Sequence, residues 1–115
     1  MHVISLDNVP RSVPVMEGAE KVFKQVPLSK ADDAPNFVFR VFTIEPGGHT
    51  PLHTHQFEHL NYIIEGSGVL VAEKRENPIK KGDFIMVLPG ETHQYRNTAR
   101  RGNLVLICAV PKEYE

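Results

Sequence analysis

Residues 53–59 read HTHQFEH: three of the chain's six histidines fall within seven residues, and a glutamate stands beside the last. In a strand, residues i and i+2 face the same side. His53 and His55 therefore project together, with Thr54 turned away. Two imidazoles on one face can share a metal ion at about 2.0–2.2 Å each. Four further residues of straight strand would carry the next side chain roughly 13 Å away at ~3.3 Å per residue, too far to close on the same ion. If His59 also ligates, the chain has to bend between His55 and His59, and Gln56-Phe57 is the expected bend. Glu58 and His59 are neighbours and point to opposite faces of an extended chain, so one of them is expected at the metal. Parity counted from His53 favours His59, although the bend weakens that count.

Around this stretch, short apolar runs alternate with turn chemistry. The runs are 37–44 (FVFRVFTI), 60–64 (LNYII), 69–72 (VLVA), 84–88 (FIMVL) and 104–110 (LVLICAV). Runs of about four to eight residues suit strands better than helices, and Val, Ile and Phe are strand-favouring. The separators EPGG, EGSG, ENPIKKGD, LPGE and NTARRGN read as turns, with Gly66, Gly82 and Gly90 where positive φ or close approach is needed. Many short strands with regular turns mean an all-β sandwich or barrel. Residues 1–36 are polar and proline-rich. They read as edge strands and loops packing on a barrel formed by residues 37–115; EGAEKVFKQ (17–25) allows a helical turn, but VFKQV alternates as a strand would. In LVLICAV the apolar residues are consecutive, so both faces of that strand want cover. A second subunit covers the outer face most economically, which makes a homodimer the expectation; cover by the N-terminal segment is the alternative.

At 115 residues the chain is one domain by length, able to bury a core without staples. Its net charge of −1 gives no electrostatic case for nucleic acid or an anionic membrane. The single cysteine, Cys108, lies within LVLICAV and reads as a small buried hydrophobe. The opening MHVISLDNVP has an Asp and no basic region followed by a long apolar stretch, so no secretory signal is expected. No apolar run approaches the roughly 18 residues of a membrane span. A cytoplasmic protein is the default expectation.

A fourth candidate ligand, His93, lies in LPGETH, after the Pro-Gly turn that ends FIMVL. In an antiparallel barrel it can meet His53 and His55 across the mouth. With it, residues 37 to 110 resemble the cupin superfamily. Gly47, His53, His55, position 59 and Gly66 fall on the first cupin motif in register; Gly82, Gly90, His93 and Asn97 fit the second. There are two departures. The glutamate-ligand position holds His59, with Glu58 one place early, and the second-motif proline position holds Leu88, with Pro89 one place late. The first departure, and the tail LVLICAVPKE, resemble a subset of small single-domain cupins whose metal is held by four histidines.

The resemblance implies a double-stranded β-helix, or jelly-roll barrel, holding one divalent transition metal per chain on His53, His55, His59 and His93. Manganese or iron is favoured, with nickel or zinc possible. Four neutral imidazoles leave the full 2+ charge on the ion, which suits an anionic, chelating small molecule. Four protein ligands on a six-coordinate ion leave two open cis positions. By strand parity, Asn61 and Tyr95 are candidates to contact a ligand. Phe57 is expected to wall the mouth, and Arg40 is either an inward anion clamp or an outward charge. Glu58 and Tyr95 are weak acid–base candidates, and His49 and His2 have no place in the motif. The leading functional expectation is a metal-dependent dioxygenase, decarboxylase or isomerase acting on a small organic acid or diketone-like compound. The alternative is a non-catalytic binder or sensor. A sugar or sugar-phosphate isomerase ranks third, because its phosphate would need a basic cluster and Lys80-Lys81 and Arg100-Arg101 lie in turns.

Overall fold

A computed structural model of the chain describes residues 1–115. Eight strands follow one another: β1 (Glu20–Leu28), β2 (Phe37–His49), β3 (His59–Glu65), β4 (Ser67–Ala72), β5 (Arg75–Lys80), β6 (Phe84–Val87), β7 (His93–Arg96) and β8 (Leu104–Pro111). They pair antiparallel in the order β5-β4-β7-β2-β8-β3-β6, with β1 added beside β2. The sheet curls on itself as a jelly roll, the expected all-β class. Helix is confined to 3-10 turns at Leu6–Asn8, Lys30–Asp32 and Lys112–Tyr114, and no helix is long and apolar enough to cross a membrane.

The spine of the fold is β2 against β8, in register from Phe37↔Pro111 to Ile44↔Leu104. The period of two sends Val38 and Ile44 inward, where they meet Leu104, Leu106 and Val110, all fully buried or nearly so. Burying each such side chain contributes about 1.5–3 kcal/mol, enough to set the register, since a one-residue slip would expose the whole set.

All five apolar runs lie in strands apart from Leu88, just past the end of β6, but three strands were not visible as runs. The strand β1 includes VFKQV, and EGAEKVFKQ from Glu20 onward is strand rather than helix, with a bulge at Lys21, whose φ is 55°. RENPIK, read as turn chemistry, forms β5. It pairs only with β4, and on an edge strand Pro78 need not supply a ladder N–H. Its hairpin turns through Glu73-Lys74, both at positive φ (51° and 63°), the twist that suits a two-residue connection even without an Asn-Gly pair. HQYR, polar in sequence, forms β7 because β4 and the end of β2 flank it.

The outer face of the spine is covered at one end and open at the other. At one end the N-terminal segment lies over it: Leu6 and Val9 share a surface cleft with Thr43, Ile64 and Val105. Gln25 pins that segment by donating from Nε2 to the carbonyls of Leu6 (3.1 Å) and Val9 (2.9 Å). At the other end Phe39, Leu60, Phe84 and Met86 remain exposed.

Gly66 takes φ +82°, and a Cβ there would stand 2.1 Å from the Asn103 carbonyl oxygen. Gly66→Ala is therefore expected to cost about 3 kcal/mol or more, combining left-handed strain with a clash against backbone. Urea unfolding measures this, and a loss under about 1 kcal/mol would show that the β3–β4 corner relaxes easily.

Candidate metal centre

The chain passes the site twice, and the two passes are antiparallel. In the first, β2 ends at His49, the backbone bends at Gln56 and Phe57, and the chain re-enters the sheet at His59. In the second, β6 ends at Val87 and β7 begins at His93. Backbone hydrogen bonds join the passes along their length: Gly47 N–H to Asn97 O (3.0 Å), Thr50 N–H to Tyr95 O (2.9 Å), and Gly90 N–H to His55 O (2.8 Å). At the centre His53 and His93 exchange both bonds, at 3.1 and 3.0 Å. The internal spacing of each motif is thus the spacing of its partners on the other pass. Asn97 is part of this frame: it is 2% exposed, and its amide donates to the carbonyls of Ile44 (2.8 Å) and Gly102 (3.0 Å).

Local hydrogen bonds set the ring orientations. His53 donates from Nδ1 to the Pro51 carbonyl at 2.7 Å, and His93 from Nδ1 to the Glu91 carbonyl at 2.9 Å. Each carbonyl two residues back fixes the tautomer, which leaves Nε2 as a bare acceptor. Nε2 of His55 lies 2.7 Å from Nε2 of His53. Ring nitrogens of His53, His55 and His93 all come within 4.8 Å of one another. His59 is not in that set; its ring stacks on His55 with centroids 3.8 Å apart and lies 6.0 Å from His93. Its Nδ1 is 3.5 Å from Cys108 Sγ, while its Nε2 is buried with no partner in the protein.

Burial, reinforced by the neighbouring cationic forms of His55 and Arg40, pushes His59 down to about 3. Burial also lowers His55 to about 4, followed by the influence of His53, His93 and Arg40. His93 is lowered chiefly by burial. Near neutral pH these three rings are uncharged, the form that can bind a metal ion. An orphaned buried nitrogen, two rings with fixed tautomers and a set of neutral imidazoles together fit a divalent transition metal.

The rings open on a cavity of about 250 Å³. Arg40, Asn61, Phe57 and Tyr95 all line it. Arg40 faces inward rather than out; its Nη2 donates to Cys108 Sγ at 3.1 Å and its Nε is buried without a partner. The Asn61 amide donates to Tyr95 Oη, and burial pushes the Tyr95 phenol well above its ordinary value, so it stays protonated. Phe57 stacks on Tyr114, centroids 3.8 Å apart, at the mouth.

Glu58 is exposed and does not reach the cavity. Adjacent side chains take opposite faces, and His59 has the inner one; the partners of the ring N–H groups are backbone carbonyls instead. His49 turns to the Thr50 carbonyl (3.2 Å), and His2 lies 3.6 Å from Asp32 at the surface. Cys108 is buried as expected and packs with Val38 and Val110, but it also lines the cavity between Arg40 and His59, and burial raises its thiol. Met16, Phe42, Leu106 and Tyr114 were also missed. Strand parity implies Phe42 and Leu106 once the β2–β8 register is known; Met16 and Tyr114 reach the cavity from distant parts of the chain with no local signal.

The model of the Cupin domain family matches residues 40–110. The oxalate-binding protein of Thermotoga maritima is 30% identical over 101 residues, covering 85% of this chain and 84% of that one. An uncharacterized protein of Methanocaldococcus jannaschii is 33% identical over 66 residues; the match spans 53% of its length, about half. Among solved structures, the polyketide cyclase RemF of Streptomyces resistomycificus superposes with a TM-score of 0.92 at 26% identity, over 97% of this chain and 80% of that one. A predicted oxalate decarboxylase of Thermotoga maritima gives 0.83 at 27% identity, over 96% and 98%. A family match over most of the chain and a shared fold from end to end agree with the paired motifs: the chain belongs to the cupin family, as a small cupin.

Proposed function

We propose that the protein binds one divalent transition metal through His53, His55, His59 and His93, and on that ion a small organic acid. The observation that carries this reading is the unpartnered, buried Nε2 of His59 beside three further imidazoles. A bound ion would act as a Lewis acid toward an anionic, chelating ligand. The protein's own groups do the rest. Arg40 supplies a fixed positive charge on the wall, and Tyr95 a protonated hydroxyl. No Asp or Glu lines the cavity, so nothing there neutralises the cationic site except a ligand. The similarity to an oxalate-binding protein supports an acid as that ligand.

Dioxygenase or decarboxylase chemistry at the metal is the enzymatic form of this proposal, and manganese or iron the ions it favours. The absence of a carboxylate base on the wall makes metal-dependent binding the stronger form. The sugar-phosphate reading finds less support, because Lys80, Lys81, Arg100 and Arg101 are all exposed and none lines the cavity. The test is metal analysis by mass spectrometry on untagged protein, followed by calorimetry with oxalate, lactate and mandelate before and after chelator treatment. About one ion per chain, and acid binding lost on stripping, is the expected result. Protein without metal, or acid binding that survives stripping, would sink the proposal.

The second subunit belongs to the same proposal. Phe39, Leu60, Phe84 and Met86 form an exposed apolar patch on the outer face that the N-terminal segment leaves open. Such patches mark interaction sites. Sedimentation is expected to give a dimer, and Phe84→Glu with Met86→Glu a monomer that keeps its metal; a wild-type monomer at high concentration would count against it.

A further inference from the structure

The inner face carries one polar row that the proposed metal ligands do not explain. Arg40 pairs with Cys108 across β2–β8, and Cys108 with Asn61 across β3–β8. The three side chains therefore stand abreast on adjacent strands and all line the cavity. The next row inward is apolar, with Phe42 opposite Leu106 and Leu106 opposite Ile63. A polar row inside an apolar barrel is costly unless its hydrogen bonds are met.

Two bonds in the row are not met by the protein. Arg40 Nε is a buried donor without an acceptor, and Asn61 Oδ1 a buried acceptor without a donor, on a side chain only 4% exposed. One N–H of the Asn61 amide goes to Tyr95 Oη, which leaves the phenol's own O–H free to donate. Toward a ligand the row therefore offers donors, chiefly Arg40 Nε and the Tyr95 hydroxyl, and one unmet acceptor, Asn61 Oδ1. A fully ionised dicarboxylate has only acceptors, and it would leave Asn61 Oδ1 unsatisfied. A ligand with both an anionic oxygen and an O–H satisfies all three.

The rest of the wall adds a second requirement. Met16, Phe42, Phe57, Leu106 and Tyr114 make an apolar side to the same cavity. Its volume, about 250 Å³, is roughly that of eight waters of liquid at about 30 Å³ each. A two-carbon acid would leave much of this surface uncovered.

Resting on the proposed metal-dependent acid site, we infer that the cavity selects a 2-hydroxy acid with an apolar or aromatic arm, its hydroxyl read by Asn61, in preference to a bare dicarboxylate. Asn61 acts as a specificity residue, and the aromatic pair Phe57 and Tyr114 as the seat for the arm.

The experiment is calorimetry on protein loaded with the divalent ion that metal analysis identifies. The probes are mandelate, phenylglyoxylate, lactate and oxalate. Mandelate and phenylglyoxylate present the same carbon skeleton and the same pair of chelating oxygens, and differ in the O–H. Wild type is expected to hold mandelate about tenfold or more tighter than phenylglyoxylate, the worth of one buried hydrogen bond. It is also expected to hold mandelate about tenfold tighter than lactate, which lacks the arm. Asn61→Leu, checked for folding by its thermal transition and for unchanged metal content, is expected to bring the mandelate and phenylglyoxylate affinities together while keeping the preference over lactate. Should Asn61→Leu fail to fold, the wild-type ratios decide alone. Phenylglyoxylate or oxalate binding as tightly as mandelate would overturn the inference and leave the metal-and-acid reading standing. No metal-dependent binding of any probe would overturn both.

Discussion

His59→Ala is expected to weaken metal binding by more than about 100-fold, while Glu58→Ala leaves it within about twofold. Losing even an outer hydrogen-bond partner of a ligand typically costs 10–100-fold, and losing a ligand costs more. The two residues are neighbours in sequence and opposites in space: His59 is 9% exposed with its Nε2 unpartnered, and Glu58 lies on the surface. Cys108 Sγ lies 3.5 Å from the other ring nitrogen of His59, Nδ1. Titration of stripped protein with Mn(II) or Zn(II), read by calorimetry, separates the two variants. Equal losses would mean that the effect is one of folding at the bend rather than of ligation. A loss confined to Glu58→Ala would put the carboxylate at the metal and the four-histidine set in error.

Metal-free protein is expected to lose stability as the pH falls from 6.5 to 5, by about 1–2 kcal/mol through His59, with His55 and His93 adding in the same direction. In the unfolded chain these histidines take up protons near 6.5. In the folded chain His59 does so only near 3 and His55 near 4, and His93 is also lowered, all primarily by burial. Below 6.5 the unfolded state therefore binds more protons, and stability falls with pH. The contribution is fully present above 6.5 and is lost progressively until the folded rings themselves protonate. Each fully buried ring contributes up to about 1.4 kcal/mol per pH unit in that window. His55 is partly exposed and adds less. Urea unfolding of chelator-treated protein at pH 7, 6 and 5 measures the slope. A flat profile would mean that the rings turn out to solvent when no ion holds them. The double variant His59→Gln, His93→Gln should flatten it, and saturating metal should raise stability at pH 7 by mass action on the folded state.

Little in the fold was hidden where side chains repeat a simple pattern. Five apolar runs became strands because burying one or both faces is what such runs can do, and the turns between them follow local backbone chemistry. The strands that escaped notice, RENPIK and HQYR, are polar; each exists because a neighbour supplies its hydrogen bonds, and no property of the segment itself demands it. The site divides in the same way. All four of His53, His55, His59 and His93 line one cavity; strand parity pointed the first three to it, and the second-motif resemblance the fourth. The bend at Gln56–Phe57 was expected on the condition that His59 joins His53 and His55, since straight strand would carry it too far.

What sequence alone determined about this protein is therefore its class, which rests on periods of a few residues, and the expected convergence of its histidines, which rests on strand parity for His53, His55 and His59 and on the resemblance of two paired motifs for His93. Tertiary structure alone decided that Arg40 faces inward against Cys108, that Asn61 bonds Tyr95, and that Met16 and Tyr114 close the cavity. The first two contacts join residues 68 and 34 positions apart, Met16 and Tyr114 reach the cavity from opposite parts of the chain, and the Arg40–Cys108 contact depends on the register of β8 against β2. That register is set by packing of the whole inner face, a property that no single segment contains.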